Sequence, residues 1–94
     1  MSEQYVVLTG IGRDRIGIVD EITAIIEELH CSIHESRMAV LGGEFAIIML
    51  ISGDEDSIKK LVAEEKTIGD KVRLRIEAKQ TGPPMLTGKG RPYV

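Results

Sequence analysis

Three stretches of the chain show hydrophobic patterns that are typical of β-strands. Residues 5–8 and 45–51 are apolar at every position, as expected for strands that are covered on both faces of a sheet. We therefore predict central strands at residues 4–9 and 45–51. Residues 71–79 alternate strictly between apolar and charged side chains, which predicts an edge strand with one face in water.

A helix and a further strand are predicted between the two central strands. Apolar side chains recur at helical spacing and predict an amphipathic helix that ends near His30. Its apolar positions are Ile18, Ile22, Ile25, Ile26 and Leu29. Residues 32–40 are strand-like, and the sequence Leu41-Gly42-Gly43-Glu44 is typical of a hairpin turn.

A second helix is predicted after the strand at residues 45–51. Asp54 is a suitable N-cap, and Ile58, Leu61 and Val62 share one face of the helix that follows it. We expect this helix to stop before Gly69.

The order strand, helix, strand, strand, helix, strand predicts an α+β fold. This order of elements is that of the ferredoxin-like βαββαβ sandwich, a four-stranded antiparallel sheet with two helices on one face. The first and third strands are central in this fold, in agreement with their apolar sequences. Because the third strand is apolar on both sides, the sheet face away from the helices must also be covered. We expect a homodimer or a second domain to cover it.

Composition limits the class of protein further. The 94 residues suffice for one core, and 43% of them are hydrophobic. A net charge of -3 gives no general attraction to nucleic acid or to an anionic membrane. The longest apolar run, residues 45–51, is far shorter than the roughly 20 residues of a membrane span. The N-terminus shows no secretory signal, and Cys31 is the lone cysteine. We expect a cytoplasmic protein that binds neither membrane nor nucleic acid directly.

The end of the chain differs in composition from the rest. Residues 81–94 contain all three prolines and three of the ten glycines, which is typical of a linker. We therefore predict a domain at residues 1–80 and a linker at residues 81–94. The pair Tyr93-Val94 repeats Tyr5-Val6, and one interpretation is that a second, similar domain begins there.

A glycine-rich segment joins the first strand to the first helix and is the main candidate site. It contains Gly10, Gly12 and Gly17, and we interpret it as a loop that leads into a helix N-terminus. Free N–H groups and the positive end of the helix dipole meet at such a junction, which suits a carboxylate or a phosphate. Glycine lets the backbone approach a ligand closely.

An amino acid fits this chemistry because it needs donors for its carboxylate and an acceptor for its ammonium group. Backbone N–H groups near Ile16, Gly17 and Ile18 supply donors, and Asp14 can accept from the ammonium. Asp14 also has an alternative role as the cap of the first helix. Arg13 and Arg15 are expected to be solvated.

Two parts of the sequence resemble a known family. The segment from Gly12 to Val19 resembles the Asp-Arg-Pro-Gly-Ile-Val junction of ACT domains, which are small ligand-sensing modules of amino-acid metabolism. Residues 31–45 and 48–53 resemble the N-terminal half of the glycine cleavage system regulatory protein family, which carries two ACT domains in tandem. Ile16 stands where the ACT pattern has proline, and His30 stands where a glycine usually ends the first helix.

The resemblance implies a non-enzymatic regulator that senses glycine or another small amino acid. It implies contacts with a second ACT domain and with a transcription regulator, rather than with DNA. The ligand would lie between the glycine loop of one domain and the second strand of its partner. The implied ligand contacts are Gly12, Asp14, Arg15, Ile16, Gly17 and Ser32. Ser32 stands at the start of the second strand, and its alternative role is a hydrogen bond to the local backbone.

Two other functions stay open at this point. One is an interaction module that pairs through its sheet and binds no ligand. The other is a small enzyme or metal carrier that uses His30, Cys31, His34 and Glu35. On a strand, Cys31 and Glu35 point away from His34, and no second cluster completes a tetrahedral site. We therefore predict neither a metal nor another cofactor.

Overall fold

The computed structural model describes residues 3–82, which form one four-stranded antiparallel sheet with helices on one face. The elements in chain order are β1 (Gln4–Arg13), α1 (Ile18–Glu28), β2 (Ser32–Leu41), β3 (Glu44–Gly53), α2 (Glu55–Ala63), α3 (Glu65–Val72) and β4 (Arg75–Thr81). The strand order is β2-β3-β1-β4. The ferredoxin-like topology and the central positions of β1 and β3 are therefore confirmed.

The two central strands pair along their whole length. The ladder between β1 and β3 runs from Gln4 opposite Gly53 to Arg13 opposite Glu44. Side chains of a strand alternate between the two faces, so every second residue of each strand points at the helices. The others point to the opposite side of the sheet, which the helices leave uncovered.

The core lies between the sheet and the helices. Burial of apolar area is the main force that holds these layers together. The buried apolar side chains are Val6 and Leu8 of β1; Ile18, Ile22 and Ile26 of α1; Cys31; Phe45, Ile47, Met49 and Ile51 of β3; Ile58 and Leu61 of α2; Ile68 and Val72 of α3; and Leu74 and Ile76.

The first strand is longer than predicted. It continues past residue 9 to Arg13, so the interpretation of Gly10 and Gly12 as loop residues was wrong. A Cβ at Gly12 would lie 2.8 Å from the carbonyl oxygen of Arg73 and 2.8 Å from the side chain of Leu74. Gly12 is therefore a packing residue, which leaves room for the connection between α3 and β4 to cross the strand.

The second predicted helix is divided into two. Asp54 caps α2 as expected, and its side chain accepts a hydrogen bond of 2.8 Å from the N–H of Ser57. The chain then bends at Glu64 and continues as α3 to Val72. The predicted stop before Gly69 was therefore wrong, because Gly69 lies inside α3.

Tertiary packing explains the glycine in α3. A Cβ at Gly69 would lie 2.8 Å from the carbonyl oxygen of Leu74, so glycine lets the returning chain pack against the helix. Arg73, in a left-handed conformation with φ 60°, reverses the chain. Strand β4 consequently begins at Arg75, four positions later than predicted.

The predicted hairpin turn is confirmed, and α1 ends near His30 as predicted. Leu41 pairs with Glu44 across a two-residue hairpin, and Gly42 and Gly43 have φ values of 58° and 83°, as a type I′ turn requires. His30 follows α1 in the left-handed region with φ 62°. It therefore occupies the conformation that glycine usually supplies at a helix end.

The predicted linker lies almost entirely outside the described residues, so its boundary stays a prediction. Between residues 3 and 82, no helix is long and apolar enough to cross a membrane.

The packing of Gly12 can be tested by replacing it with alanine. Gly12→Ala should lower the free energy of unfolding by about 1–3 kcal/mol, because the new methyl group overlaps backbone that cannot easily move. Urea denaturation measures the change. Gly82→Ala is the control, since nothing lies within 4 Å of a Cβ at that position. Equal stability of the two variants would contradict this role of Gly12.

Candidate functional site

The candidate site is the four-residue corner between β1 and α1, residues 14–17. Gly17 is the N-cap of α1, with φ 82°, and no side chain caps the helix. The alternative role of Asp14 as a helix cap is therefore wrong. Instead the N–H of Asp14 donates to the carbonyl oxygen of Gly43 over 3.1 Å. This bond holds the corner beside the turn between β2 and β3.

Arg15 anchors the corner to two helices. Its guanidinium donates two hydrogen bonds to Glu21, of 3.1 and 2.7 Å, and a third of 2.8 Å to the carbonyl oxygen of Val72 at the end of α3. Its Nε is buried and has no hydrogen-bond partner among residues 3–82. The prediction that Arg15 is solvated was wrong, because the fold brings a carboxylate and a helix C-terminus within its reach.

The ion pair perturbs both of its members. The hydrogen bond from Arg15 lowers the pKa of the Glu21 carboxyl, and the same bond raises the pKa of the Arg15 guanidinium. The positive charge of Arg15 is thus neutralised within the domain, whereas Asp14 and Asp20, the acidic groups beside the corner, form no ion pair among residues 3–82. An additional ligand at the corner would meet backbone donors and carboxylates rather than a free guanidinium.

A cavity of about 240 Å³ lies beside the corner. Its lining residues are Asp14, Arg15, Gly17, Ile18, Val19, Asp20, Val40 and Phe45. The first hydrogen bond of α1 runs from the N–H of Glu21 to the carbonyl oxygen of Gly17, so the preceding N–H groups of the first turn are available as donors. The cavity therefore combines donors, carboxylates and an apolar wall.

The structure brings only some of the predicted site residues to this cavity. Asp14, Arg15 and Gly17 line it. Gly12 packs against the connection between α3 and β4, and the side chain of Ile16 is 98% exposed. Ser32 begins β2, at the opposite end of that strand from Val40. A contact between Ser32 and the cavity would therefore have to come from a second domain.

Four lining residues, Val19, Asp20, Val40 and Phe45, were not among the candidates predicted from the sequence. For Asp20, its place in the first turn of α1 was a usable signal. Val40 and Phe45 flank the hairpin turn, and no local pattern connects that turn with the corner. Their contribution depends on the register that places Arg13 opposite Glu44.

A separate polar cluster lies at the far end of the sheet. Ser52 is fully buried, and its hydroxyl is 3.0 Å from a carboxylate oxygen of Glu3 and 2.7 Å from Nε2 of His34. Since a hydroxyl has one proton and Glu3 accepts it, Nε2 of His34 must donate. Ser52 thus connects two groups and is shielded from solvent, which suits a structural role better than nucleophilic catalysis.

The segment from His30 to Glu35 gives no support to a metal site or an active site. A β-bulge between Ile33 and Glu35 sets the direction of His34. In the described part of the chain, no three His, Cys, Asp or Glu side chains are grouped to hold a metal ion. Burial raises the pKa of the Cys31 thiol, which disfavours the reactive thiolate.

The described residues thus form a ferredoxin-like sandwich with an open cavity beside the corner between β1 and α1. The model of the ACT domain family matches residues 4–79. The chain belongs to the ACT domain family, as the resemblance of its sequence indicated.

The relatives that match this chain define a more particular group. The glycine cleavage system transcriptional repressor of Escherichia coli K12 is 40% identical over 88 residues, which cover 89% of this chain and 46% of the repressor. A crystal structure provisionally described as a glycine cleavage system transcriptional repressor superposes with a TM-score of 0.84 at 33% identity, covering 89% of this chain and 49% of that one. The chain therefore spans about half the length of these relatives.

Single-domain proteins also match. An ACT domain protein from Streptococcus pneumoniae superposes with a TM-score of 0.72 at 26% identity. The match covers 82% of this chain and 89% of that one. The same fold thus occurs both in chains of this length and in chains of twice the length.

The ion pair at the corner predicts a specific dependence on pH. Because the pKa of Glu21 is lowered in the folded state, its contribution to stability is present above the ordinary value of 4.5 and is lost as the pH falls through the lower folded value. Glu21→Gln should be modestly less stable than the parent at pH 7 and equally stable in strong acid. Urea midpoints at both pH values measure this. Glu28→Gln is the control, and an equal loss there at pH 7 would contradict the pairing.

Proposed function

We propose that this chain is a non-enzymatic, regulatory ACT domain that binds glycine or another small amino acid in the cavity at residues 14–17. The observation that carries the proposal is the meeting of first-turn N–H donors with two carboxylates in one small cavity. This combination suits a molecule that carries a negative and a positive group close together.

The charges favour a neutral amino acid over a purely anionic ligand. The carboxylate of the ligand would accept from the N–H groups of Ile18 and Val19, and its ammonium group would donate to Asp14 or Asp20. A phosphate or a dicarboxylate would instead face these two acidic residues with no free cation, because Arg15 is already paired with Glu21. The cavity of about 240 Å³ is open to solvent and accommodates a small side chain.

The two edges of the sheet differ in a way that supports pairing through β2. At the β4 edge, the side chain of Glu65 accepts a hydrogen bond of 3.2 Å from the N–H of Ala78, which protects that edge. Strand β2 pairs only with β3 among residues 3–82. It also exposes Met38, Val40 and Leu41, at 49%, 52% and 76%. Its free backbone groups and apolar side chains suit a second ACT domain.

A two-fold axis near Ser36 would make the second domain complete the site. In an antiparallel pair of β2 strands, residues whose numbers add to 72 lie opposite each other. Ser32 of the second copy would then lie beside Val40, which lines the cavity. This arrangement reconciles the position of Ser32, far from the corner of its own domain, with a contact to the ligand.

The relatives suggest the setting in which such a sensor works. We infer that this chain takes part in regulating glycine cleavage, through contacts with a transcription regulator protein and without contacting DNA itself. Its net charge of -3 supports protein rather than nucleic-acid contacts, and a cytoplasmic location follows from this role. The alternative, a pairing module without a ligand, is favoured only by the exposed β2 edge, and a binding experiment separates the two.

The ligand site is tested by calorimetric titration of the full chain with glycine and the other amino acids. Asp14→Ala should weaken the binding of the preferred amino acid by about 1.5–3 kcal/mol, because it removes one charge-assisted hydrogen bond. Asp56→Ala on α2 is the control. If no amino acid binds the parent chain, the pairing module is the better description. If Asp14→Ala binds normally, Asp14 has no part in the site.

The pairing register is tested by a cysteine placed on the proposed axis. In a Cys31→Ala background, Ser36→Cys should form an intermolecular disulfide under mild oxidation, since residues opposite each other in antiparallel strands have Cα atoms about 4.5–5.5 Å apart. Non-reducing electrophoresis measures the product. Thr67→Cys on α3 is the control for random collision. Equal cross-linking of the two variants would exclude this register.

A further inference from the structure

The sheet face that the helices leave uncovered, called here the open face, is apolar at its centre and charged at both sides. Its central residues are Val7, Thr9 and Ile11 of β1, Ala46, Ile48 and Leu50 of β3, and Ala39 of β2. Ile11 and Ile48 are 56% and 46% exposed. Two shallow depressions of about 240 and 320 Å³ lie on this face. A contiguous apolar surface of this kind marks an interaction site.

The registers of the sheet arrange the open face in rows that run across the strands. In one row, Glu35 of β2 pairs with Leu50, Leu50 with Val7, and Val7 with Lys79 of β4. Directly paired residues of antiparallel strands point to the same face. This row therefore has a negative end at β2, an apolar centre and a positive end at β4.

The neighbouring row has the opposite polarity. Arg37 of β2 pairs with Ile48, Ile48 with Thr9, and Thr9 with Glu77 of β4. Its positive end is thus at β2 and its negative end at β4. The two β2 charges are paired with each other over 3.1 Å, but their side chains stay 72% and 56% exposed. Such an exposed pair is weak and can exchange partners at little cost.

These two rows are complementary to themselves, whereas the third row, from Ala39 through Ala46 and Ile11 to Arg75, is charged at its β4 end alone. Consider two copies stacked face to face about a two-fold axis. The axis runs parallel to the strands in the gap between the two sheets, above the line midway between β1 and β3. The rotation places β2 of one copy over β4 of the other and leaves each row facing its own equivalent. Glu35 then lies over Lys79 of the second copy, and Arg37 over Glu77. Symmetry repeats both contacts, so four oppositely charged pairs surround the apolar centre.

We propose that the open face is an interface between two copies of this chain, stacked sheet on sheet about that axis. Aligned sheets pack about 10 Å apart, a gap that the side chains of Glu and Lys can bridge from opposite sides. Strands about 30 Å long and about 4.8 Å apart give the sheet a projected area of roughly 600 Å². This is close to the roughly 800 Å² per partner of a standard interface.

The interface uses neither the ligand site nor the free backbone groups of the β2 edge. The register about Ser36 also places Glu35 opposite Arg37 of the second copy, but an exposed pair of this kind contributes little. The cavity at residues 14–17 and the open face share no lining residue. Pairing through β2 extends the sheet sideways, whereas stacking covers its face, so both contacts can occur in one assembly. The stacked interface therefore survives if the chain binds no amino acid, and the binding site survives if the face does not stack.

A charge exchange tests the stacked arrangement. Sedimentation velocity of the full chain should show that Glu35→Lys and Lys79→Glu each weaken one association step by about tenfold or more, because each places like charges opposite each other. Under conditions where the parent is associated, each single variant should therefore have half the mass of the parent. The double variant Glu35→Lys/Lys79→Glu should recover the parent mass, since its charges again face opposite ones. Glu28→Lys and Lys59→Glu repeat the two charge changes on the helices and should leave the mass unchanged.

Several outcomes would overturn the proposal. A parent chain that is monomeric at about 100 μM, weaker than most specific interfaces, would mean that another occupant covers the face. Single variants with the mass of the parent, or a double variant that fails to recover, would exclude this axis. Ile48→Asp is a second test, because it places a charge in the apolar centre and should halve the mass without changing the circular dichroism spectrum. An unchanged mass would rule out stacking through this face.

Discussion

The ten-residue pairing between β1 and β3 is the constraint on which the rest of the structure depends. It places both strands in the centre of the sheet, where their alternate side chains meet the helices on one side and the open face on the other. It also sets Arg13 opposite Glu44, so the end of β1 arrives beside the hairpin turn. The hydrogen bond between Asp14 and Gly43 continues this alignment by one residue into the corner.

The corner is also held by the far end of the domain, through the connection between α3 and β4. The glycines of β1 leave room for that connection, and Arg15 binds the carbonyl oxygen of Val72 just before it. A residue near the candidate cavity is therefore linked directly to the last helix. The charge of Arg15 is used for this structural purpose, and any ligand beside it must be held by backbone donors and by the acidic residues. The chemical character of the cavity thus depends on the ion pair between Arg15, which lines the cavity, and Glu21.

The domain has two edges and two faces, and only one of each is protected. Glu65 satisfies a backbone donor of β4, and the three helices cover one face with a continuous apolar core. Strand β2 and the open face carry the exposed apolar side chains of the sheet. Under the proposed function, these two surfaces are where the domain would contact other molecules. The relatives of this chain include proteins of about one and of about two domain lengths.

The sequence by itself determined the fold class, because the period of its apolar residues specifies which elements are strands and which helices have a buried face. It also determined the Asp54 cap and the Gly42-Gly43 turn, since both depend on neighbouring residues. Tertiary structure alone decided the roles of Gly12 and Gly69. Each glycine leaves room for the chain segment that connects α3 to β4. Tertiary structure likewise decided the partner of Arg15, the contribution of Phe45 to the cavity, and the charge rows of the open face. These features depend on register, which brings distant residues together and which no local pattern contains.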